Sequence, residues 1–443
     1  MNPPAVGDLP DPMAARLAGE YLGMPPHEVG YFARDPAAAG APSWVDPRFQ
    51  PEAPFWGFEQ NRSIGWSGAE IRNVHEFLAR AGVSWLELLD LILSDYINPG
   101  HELRPFTASD AAPAAGSPVR IKLGDDPCDL HEARLVGLQA GFLRRFRLFV
   151  RLWRRLGWTV RELDHALSIF GGDLTRVSFI HMAEIQRLHD SLQLPVENIL
   201  SLFGTIDVQV RWDGPGWPSL RQPSQFERLF LDKSALAAPQ RELLATALST
   251  GAGGAPPRLS DAAGPVRAVL GLSEADFLLL TDAATFAETI GTPPTAAVSG
   301  GQDWMNVFID ADELNVGNLS RLFRAATLSL ALRLSIADLL RLRQITGIDP
   351  FSAPYETLDL SLALDRQRTA EFTVGELDYL LRDRGQLSDV IAGARPRAQE
   401  RLKDKLAKAQ SGGNLPEEMA RSIVATHFRV PVPVATALLE TLG

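Results

Sequence analysis

A single cysteine, Cys128, is all the thiol chemistry these 443 residues carry. One thiol excludes an internal disulfide and any cysteine-rich zinc site. It suits a reducing compartment, or a fold large enough to need no covalent staple. Long apolar runs are also missing. The best, ATLSLALRLSIADLL (326–340), is broken by Arg333 and Asp338 and falls short of the roughly 20 residues that span a bilayer. The start, MNPPAVGDLPDP, lacks both the basic n-region and the apolar core of a Sec signal. The chain therefore reads as soluble, with no visible address. Positive charge is in deficit: 43 Lys and Arg stand against 54 Asp and Glu, a net charge of -11. That balance disfavours a general nucleic-acid binder. Strand signals are scarce as well; VRIKL (119–123) is the one good alternating run, enough for a small hairpin.

What is abundant is helix, and one way of joining helices. In LWRRLGWTVRELDHAL (152–167), Leu156 ends one helix and Gly157 can take the left-handed cap at low cost. Thr159 and Glu162 then form a capping box, and Trp158 and Leu163 are spaced as a hydrophobic staple. The same joint recurs with Gly82, Ser84 and Glu87, stapled by Val83 and Leu88. It recurs again with Ser273 and Asp276 (staple Leu272 and Phe277), with Ser335 and Asp338, and with Thr373 and Glu376. In 22–33 and 192–203, Pro25 and Pro195 take the Ser/Thr place, which proline can do because its missing N–H is no loss there. The weakest copy, 428–439, lacks the acid. Thr159 to Pro195 is 36 residues and Ser335 to Thr373 is 38, while the other intervals are longer. The expected architecture is all-α: an irregular array of helix pairs with capped joints, a few long loops and at most a small β-hairpin.

Amphipathic patterns at 143–153, 181–194, 318–332 and 398–410 support that fold class. Pro-, Gly- and Trp-rich stretches at 34–66, 104–118 and 208–224 read as loop insertions. STGAGGAPPRLS (249–260) reads as a linker between an N-terminal helical block (1–248) and a C-terminal one (261–443).

The residues that could carry chemistry each have a plainer explanation. Arg144, Arg147, Arg151 and Arg154 recur at helical spacing with no acid between them, so they are a candidate interaction face. A membrane-surface helix would look similar. Yet the apolar side of this helix runs into a capped joint, which predicts packing against a neighbour, with arginine stems along the seam. The eight histidines form neither HxxxH nor HExxH. DADEL (310–314) and GDDPCD (124–129) lack the alternating ligands of a calcium loop; helix initiation explains the first, and Asp129 is expected to cap a following helix. GAGGAPP (251–257) and SGGQDW (299–304) match no phosphate-binding loop, and no GxSxG elbow occurs. No catalytic, cofactor-binding or metal residue is assigned.

Several phrases together resemble the N-terminal region of Tc toxin A components, the large subunits of bacterial insecticidal toxin complexes. They are FLARAGVSWLELLDLILSDYINPG (77–100), CDLHEARLVGLQAGFLRRFRLFVRLWRRLGWTVRELDHAL (128–167), HMAEIQRLHDSLQLPVENILSLFGTID (181–207) and FERLFLDKS (226–234). The resemblance implies part of an α-helical shell with no catalytic residues. It also implies protein partners, namely other subunits or domains of a toxin complex, and a homo-oligomer as one option. Synthesis in a bacterial cytoplasm follows, with any export by a route that needs no Sec signal. The resemblance rests on Gly82, Ser84, Glu87, Gly157, Thr159, Glu162, Leu163 and the run Arg228-Leu229-Phe230-Leu231. Tc toxin A components are several times longer, with receptor-binding and pore-forming parts after the shell. The expected function is a non-catalytic shell or scaffold module; the alternative is a membrane-acting module using the basic helix 142–156.

Overall fold

The computed structural model describes residues 11–32, 69–102, 105–108, 117–126, 128–138, 140–211, 222–249, 257–291, 307–309, 311–370 and 372–382, with isolated positions between 418 and 425. Outside them lie the loop 34–66, the middle of 104–118, most of 208–224, most of the expected linker 249–260, and the segments 398–410 and 428–439. The chain forms two compact units, 1–363 and 364–443.

The first unit opens with α1 (Asp11–Tyr21), α2 (Pro26–Phe32), a single turn α3 (Ala69–Arg72), α4 (Val74–Ala81) and α5 (Trp85–Ile92). A two-stranded antiparallel hairpin follows, β1 (Arg120–Lys122) with β2 (Arg134–Val136), in the register Ile121 opposite Leu135. Then come α6 (Ala140–Leu156), α7 (Val160–Ile169), α8 (Arg176–Leu192) and α9 (Val196–Phe203). Beyond these are α10 (Gln225–Phe230), α11 (Ala238–Ala245), α12 (Ala263–Leu270), α13 (Glu274–Thr281) and α14 (Ala283–Thr289). The last are α15 (Val316–Leu332), α16 (Ile336–Thr346), α17 (Pro354–Thr369), within which the unit boundary falls, and α18 (Val374–Arg382) of the second unit. The fold is mostly α, as the helical periodicity and the scarcity of strand patterns imply.

A continuous apolar core runs from Ala14 to Leu200. Its aromatics interlock: Phe77 meets Phe146 edge-on with ring centroids 5.1 Å apart, and Phe32 stacks on Phe179 at 5.2 Å. Alanines 14, 15 and 18 let α1 lie close along α8. Helix α9, before the expected linker, packs on α15, after it. Ile206 N–H donates to Ser320 Oγ (2.9 Å), and the Arg324 guanidinium donates to the Gly204 carbonyl (2.7 Å). Burial lowers the Arg324 pKa to about 10. Helices on both sides of 249–260 thus belong to the first compact unit.

Of the two acidic clusters, one takes another role than expected, and the other directly precedes α15. Asp129 accepts from the His131 N–H (2.9 Å) in a turn that leads into β2, so it caps no helix; the next helix starts only at Ala140. A side-chain acceptor serves an Asx turn as readily as a cap, and strand pairing decides between them here. In DADEL, Asp312 accepts from Ser260 Oγ at 2.7 Å, while Asn315 caps α15.

Candidate functional site

The residues singled out by sequence are the joints and the basic helix. At four joints the box is complete. Glu87 N–H donates to Ser84 Oγ (3.3 Å) while Ser84 N–H donates to the Glu87 carboxylate (2.6 Å). The Thr159/Glu162 pair repeats this at 3.2 and 2.8 Å, Ser273/Asp276 at 3.0 and 3.3 Å, and Thr373/Glu376 at 3.2 and 2.6 Å. The aspartate, one methylene shorter than glutamate, makes the longest return bond of the four. At Ser335 the forward bond is present (3.0 Å), but the Asp338 carboxylate turns to Arg341 (3.2 Å). The staple residues Trp158, Leu163, Val83, Leu88, Leu272 and Phe277 are all buried. Replacing Thr159 by alanine removes the Oγ1 that accepts from the Glu162 N–H and donates to the Glu162 carboxylate, and keeps only the backbone Thr159 N–H bond. The expected cost is about 1 kcal/mol, measured as a lower urea midpoint; an unchanged midpoint would show that α7 needs no cap.

At the described joints, one residue with positive φ stands just before the apolar and capping residues. Gly82 (φ 63°), Gly157 (70°) and Gly271 (65°) supply it cheaply. Among the described residues, two joints use a residue other than glycine: Gln193 at φ 55° and Arg333 at φ 54°. A Cβ in that region costs about 1–2 kcal/mol, and glycine's extra chain entropy returns about 0.5–1 of that. Gln193→Gly and Arg333→Gly are therefore each expected to raise unfolding free energy by about 0.5–1 kcal/mol, and Gly82→Ala to lower it by a similar amount, in equilibrium denaturation.

The basic helix α6 is a packed element. Phe142, Leu143, Phe146, Phe149, Val150, Leu152 and Leu156 are buried on it. Arg144, Arg147 and Arg151 are half-buried, and only Arg154 and Arg155 are exposed. Its arginines are spent on neighbouring segments. Arg154 donates to the Gly82 carbonyl, at the end of α4; Arg145 Nε donates to the Ile97 carbonyl (3.1 Å); Arg155 pairs with Glu28 (3.1 Å). Trp153 Nε1 donates to the Trp158 carbonyl across the joint (2.6 Å). The apolar stripe that a membrane-surface helix would present is thus inside the core. Among the described residues, no helix is long and apolar enough to cross a membrane.

A buried polar centre that the sequence reading missed lies between α5 and α7. Asp164, 6% exposed, accepts from Ser94 Oγ (2.6 Å), Asp95 N–H (3.0 Å), Tyr96 N–H (3.0 Å) and the Arg211 guanidinium (3.2 Å). Arg211 exchanges backbone bonds with Gln222 (3.1 and 2.9 Å) in an antiparallel bridge. Arg161 Nε pairs with Asp207 at 2.6 Å in the same layer. Asn98 completes the centre by bonding the Ile92 carbonyl and both backbone groups of Val119 (2.7–3.0 Å). The INPG phrase therefore fastens the end of α5 to the hairpin. No local pattern could have exposed Asp164, since its partners lie about 50 to 70 residues away.

His165, beside this centre, has its pKa lowered, mainly by burial, with Asp207 and Asp164 opposing and Arg161 and Arg211 reinforcing the shift. A lowered histidine pKa means that the unfolded chain protonates first as pH falls. The stability it favours is present above the unfolded value of 6.5 and is lost below it. His165→Gln is expected to flatten the fall of the urea midpoint between about pH 7 and about pH 5.5; an identical slope would assign that fall to other groups.

Among the described residues no group of three or more His, Cys, Asp or Glu side chains is placed to hold a metal ion. No protein-family profile matches the chain. No curated protein matches it either. Several solved structures overlap it, among them the following two. TcaA-TcaB of Yersinia pseudotuberculosis is 14% identical over 66% of this chain and 14% of that one, with a TM-score of 0.36. TcdA4 of Morganella morganii is 17% identical over 69% of this chain and 12% of that one, with a TM-score of 0.39. The chain thus spans a small fraction of either structure's length. At these values the likeness assigns neither family nor activity.

Proposed function

We propose that this chain is a non-catalytic helical wall module, similar to part of the shell of a Tc toxin A component, and that it acts through protein contacts in a larger toxin-like assembly. The observation that carries the reading is the ordered set of phrases at 77–100, 128–167, 181–207 and 226–234. Each phrase has a packing reason in the fold. The first supplies the Ser84 box and the Asn98 anchor. The second supplies α6, its arginine contacts and the Asp164 centre. The third supplies α8 and α9, joined at Gln193 and Pro195. The fourth begins within a box made by Ser224 and Glu227. Capped joints fix the angles between successive helices, which is what a wall that holds its shape requires.

The test is to tag the chain in the bacterium that makes it and weigh what purifies under native conditions. The expected result is a particle containing this chain and other protein subunits in fixed stoichiometry. Recovery of the free 48.4 kDa chain alone would overturn the reading.

A further inference from the structure

Helix α1 wears its apolar pattern inside out. The side chains it turns to the core are small: Ala14, Ala15 and Ala18 are buried. Gly19 lies so near α2 that a Cβ there would fall 2.2 Å from Val29 Cγ2. The large apolar side chains point away, with Met13 53%, Leu17 43% and Tyr21 44% exposed. Spaced four apart, they form one ridge over two turns, the kind of face a helix ordinarily buries. Arg16 and Glu20, both exposed, run along one flank of that ridge. The ridge ends in a fixed aromatic. Tyr21 Oη donates to the Asp190 carboxylate on α8, and the Arg187 guanidinium lies over its ring, 6.0 Å from the centroid. Asp190 in turn accepts from Gln186 Nε2 (3.1 Å), and Gln186 accepts from Trp158 Nε1 (2.6 Å). An exposed tyrosine already held in place loses little freedom on docking, which suits it as an anchor.

We propose that this ridge docks on a second copy of the chain, α1 against α1, antiparallel about a two-fold axis. A two-fold contact must be self-complementary, and the outer face of α1 is. With the axis passing near Leu17 and Ala18, Leu17 meets its own copy and Met13 lies across from the partner's Tyr21. An antiparallel pairing also brings the two charged flanks to the same side. Arg16 then lies across from the partner's Glu20, and Glu20 across from the partner's Arg16, so both cross pairs are attractive. A parallel pairing puts the two charged flanks on opposite sides, where neither charge meets its complement. The apolar ridge supplies the affinity, and the flank charges set orientation and partner. This contact is independent of the wall reading, which concerns other subunits.

The experiment is sedimentation velocity of the full chain between about 1 and about 100 µM, since a contact of one helix per partner is small and micromolar association is expected. The parent should pass from monomer to dimer across that range, and Leu17→Glu should stay monomeric throughout. Arg16→Glu and Glu20→Arg each set like charges across the axis and should weaken self-association about tenfold or more. Mixing these two variants restores both opposite-charge pairs, so the mixture should form a dimer of parental affinity. Arg16, Leu17 and Glu20 are exposed, so every variant should keep the circular dichroism of the parent. A parent chain that remains monomeric at about 100 µM would overturn the proposal, whether another protein or another segment of the same chain holds the ridge. Single variants that dimerise like the parent, or a mixture that associates no more tightly than either variant alone, would overturn it too.

Discussion

Asp164→Ala is expected to destabilise the first unit by about 3–5 kcal/mol, the cost of leaving a buried charge without its partner. The carboxylate accepts four bonds from Ser94, Asp95, Tyr96 and Arg211, and Arg211 is itself only 4% exposed. Removing it strands that guanidinium and frees two backbone N–H groups at the end of α5. Ser94→Ala, which removes one neutral donor, should cost about 1 kcal/mol. The ratio between the two distinguishes a charge centre from an ordinary polar contact. Urea unfolding followed by circular dichroism measures both, and equal effects would show that the Asp164–Arg211 pair adds nothing beyond a hydrogen bond. Arg211→Met in the Asp164→Ala background should recover part of the loss, because the orphaned charge goes with it.

The second large effect is expected at Arg343 and Asp349. Their side chains are 1% and 7% exposed and pair at 2.9 Å, and Asp349 also accepts from Phe351 N–H at 3.2 Å. The pair holds the turn between α16 and α17. Asp349→Ala alone should cost about 3–5 kcal/mol, whereas Arg343→Met with Asp349→Ala should cost less than either alone. A double-mutant cycle by denaturant midpoint decides this. Strictly additive losses would mean that the two side chains are not coupled across the turn.

What sequence could show and what it could not divide along a physical line. A capping box is written within four residues, so Ser84/Glu87, Thr159/Glu162 and Ser273/Asp276 could be located before any fold was known. Ser224/Glu227 carries the same S-x-x-E signature and was findable, but its surroundings read as loop. Thr175/Ser178 was not, because a serine stands where the glutamate belongs. Gln193 and Arg333 were placed at joints by the residues after them, although nothing in a glutamine or an arginine signals positive φ. The burial of α6 followed from its continuity with a joint. Asp164, Asn98 and Arg343 stayed hidden because each is defined by partners that only the tertiary fold supplies. Asp129 misled for a related reason: its acceptor serves a turn or a helix cap equally, and the choice lies with the strand that follows.

The joints and the buried centres describe a chain built to hold helices at fixed angles, and its proposed work is to be a wall for other protein. Electron cryomicroscopy of particles purified through this chain tests that most directly. The expected map shows the helices of residues 1–363 as a continuous wall layer, with other protein against one face in every particle. A map in which the chain is absent, or hangs as a separate lobe touching no other subunit, would contradict it.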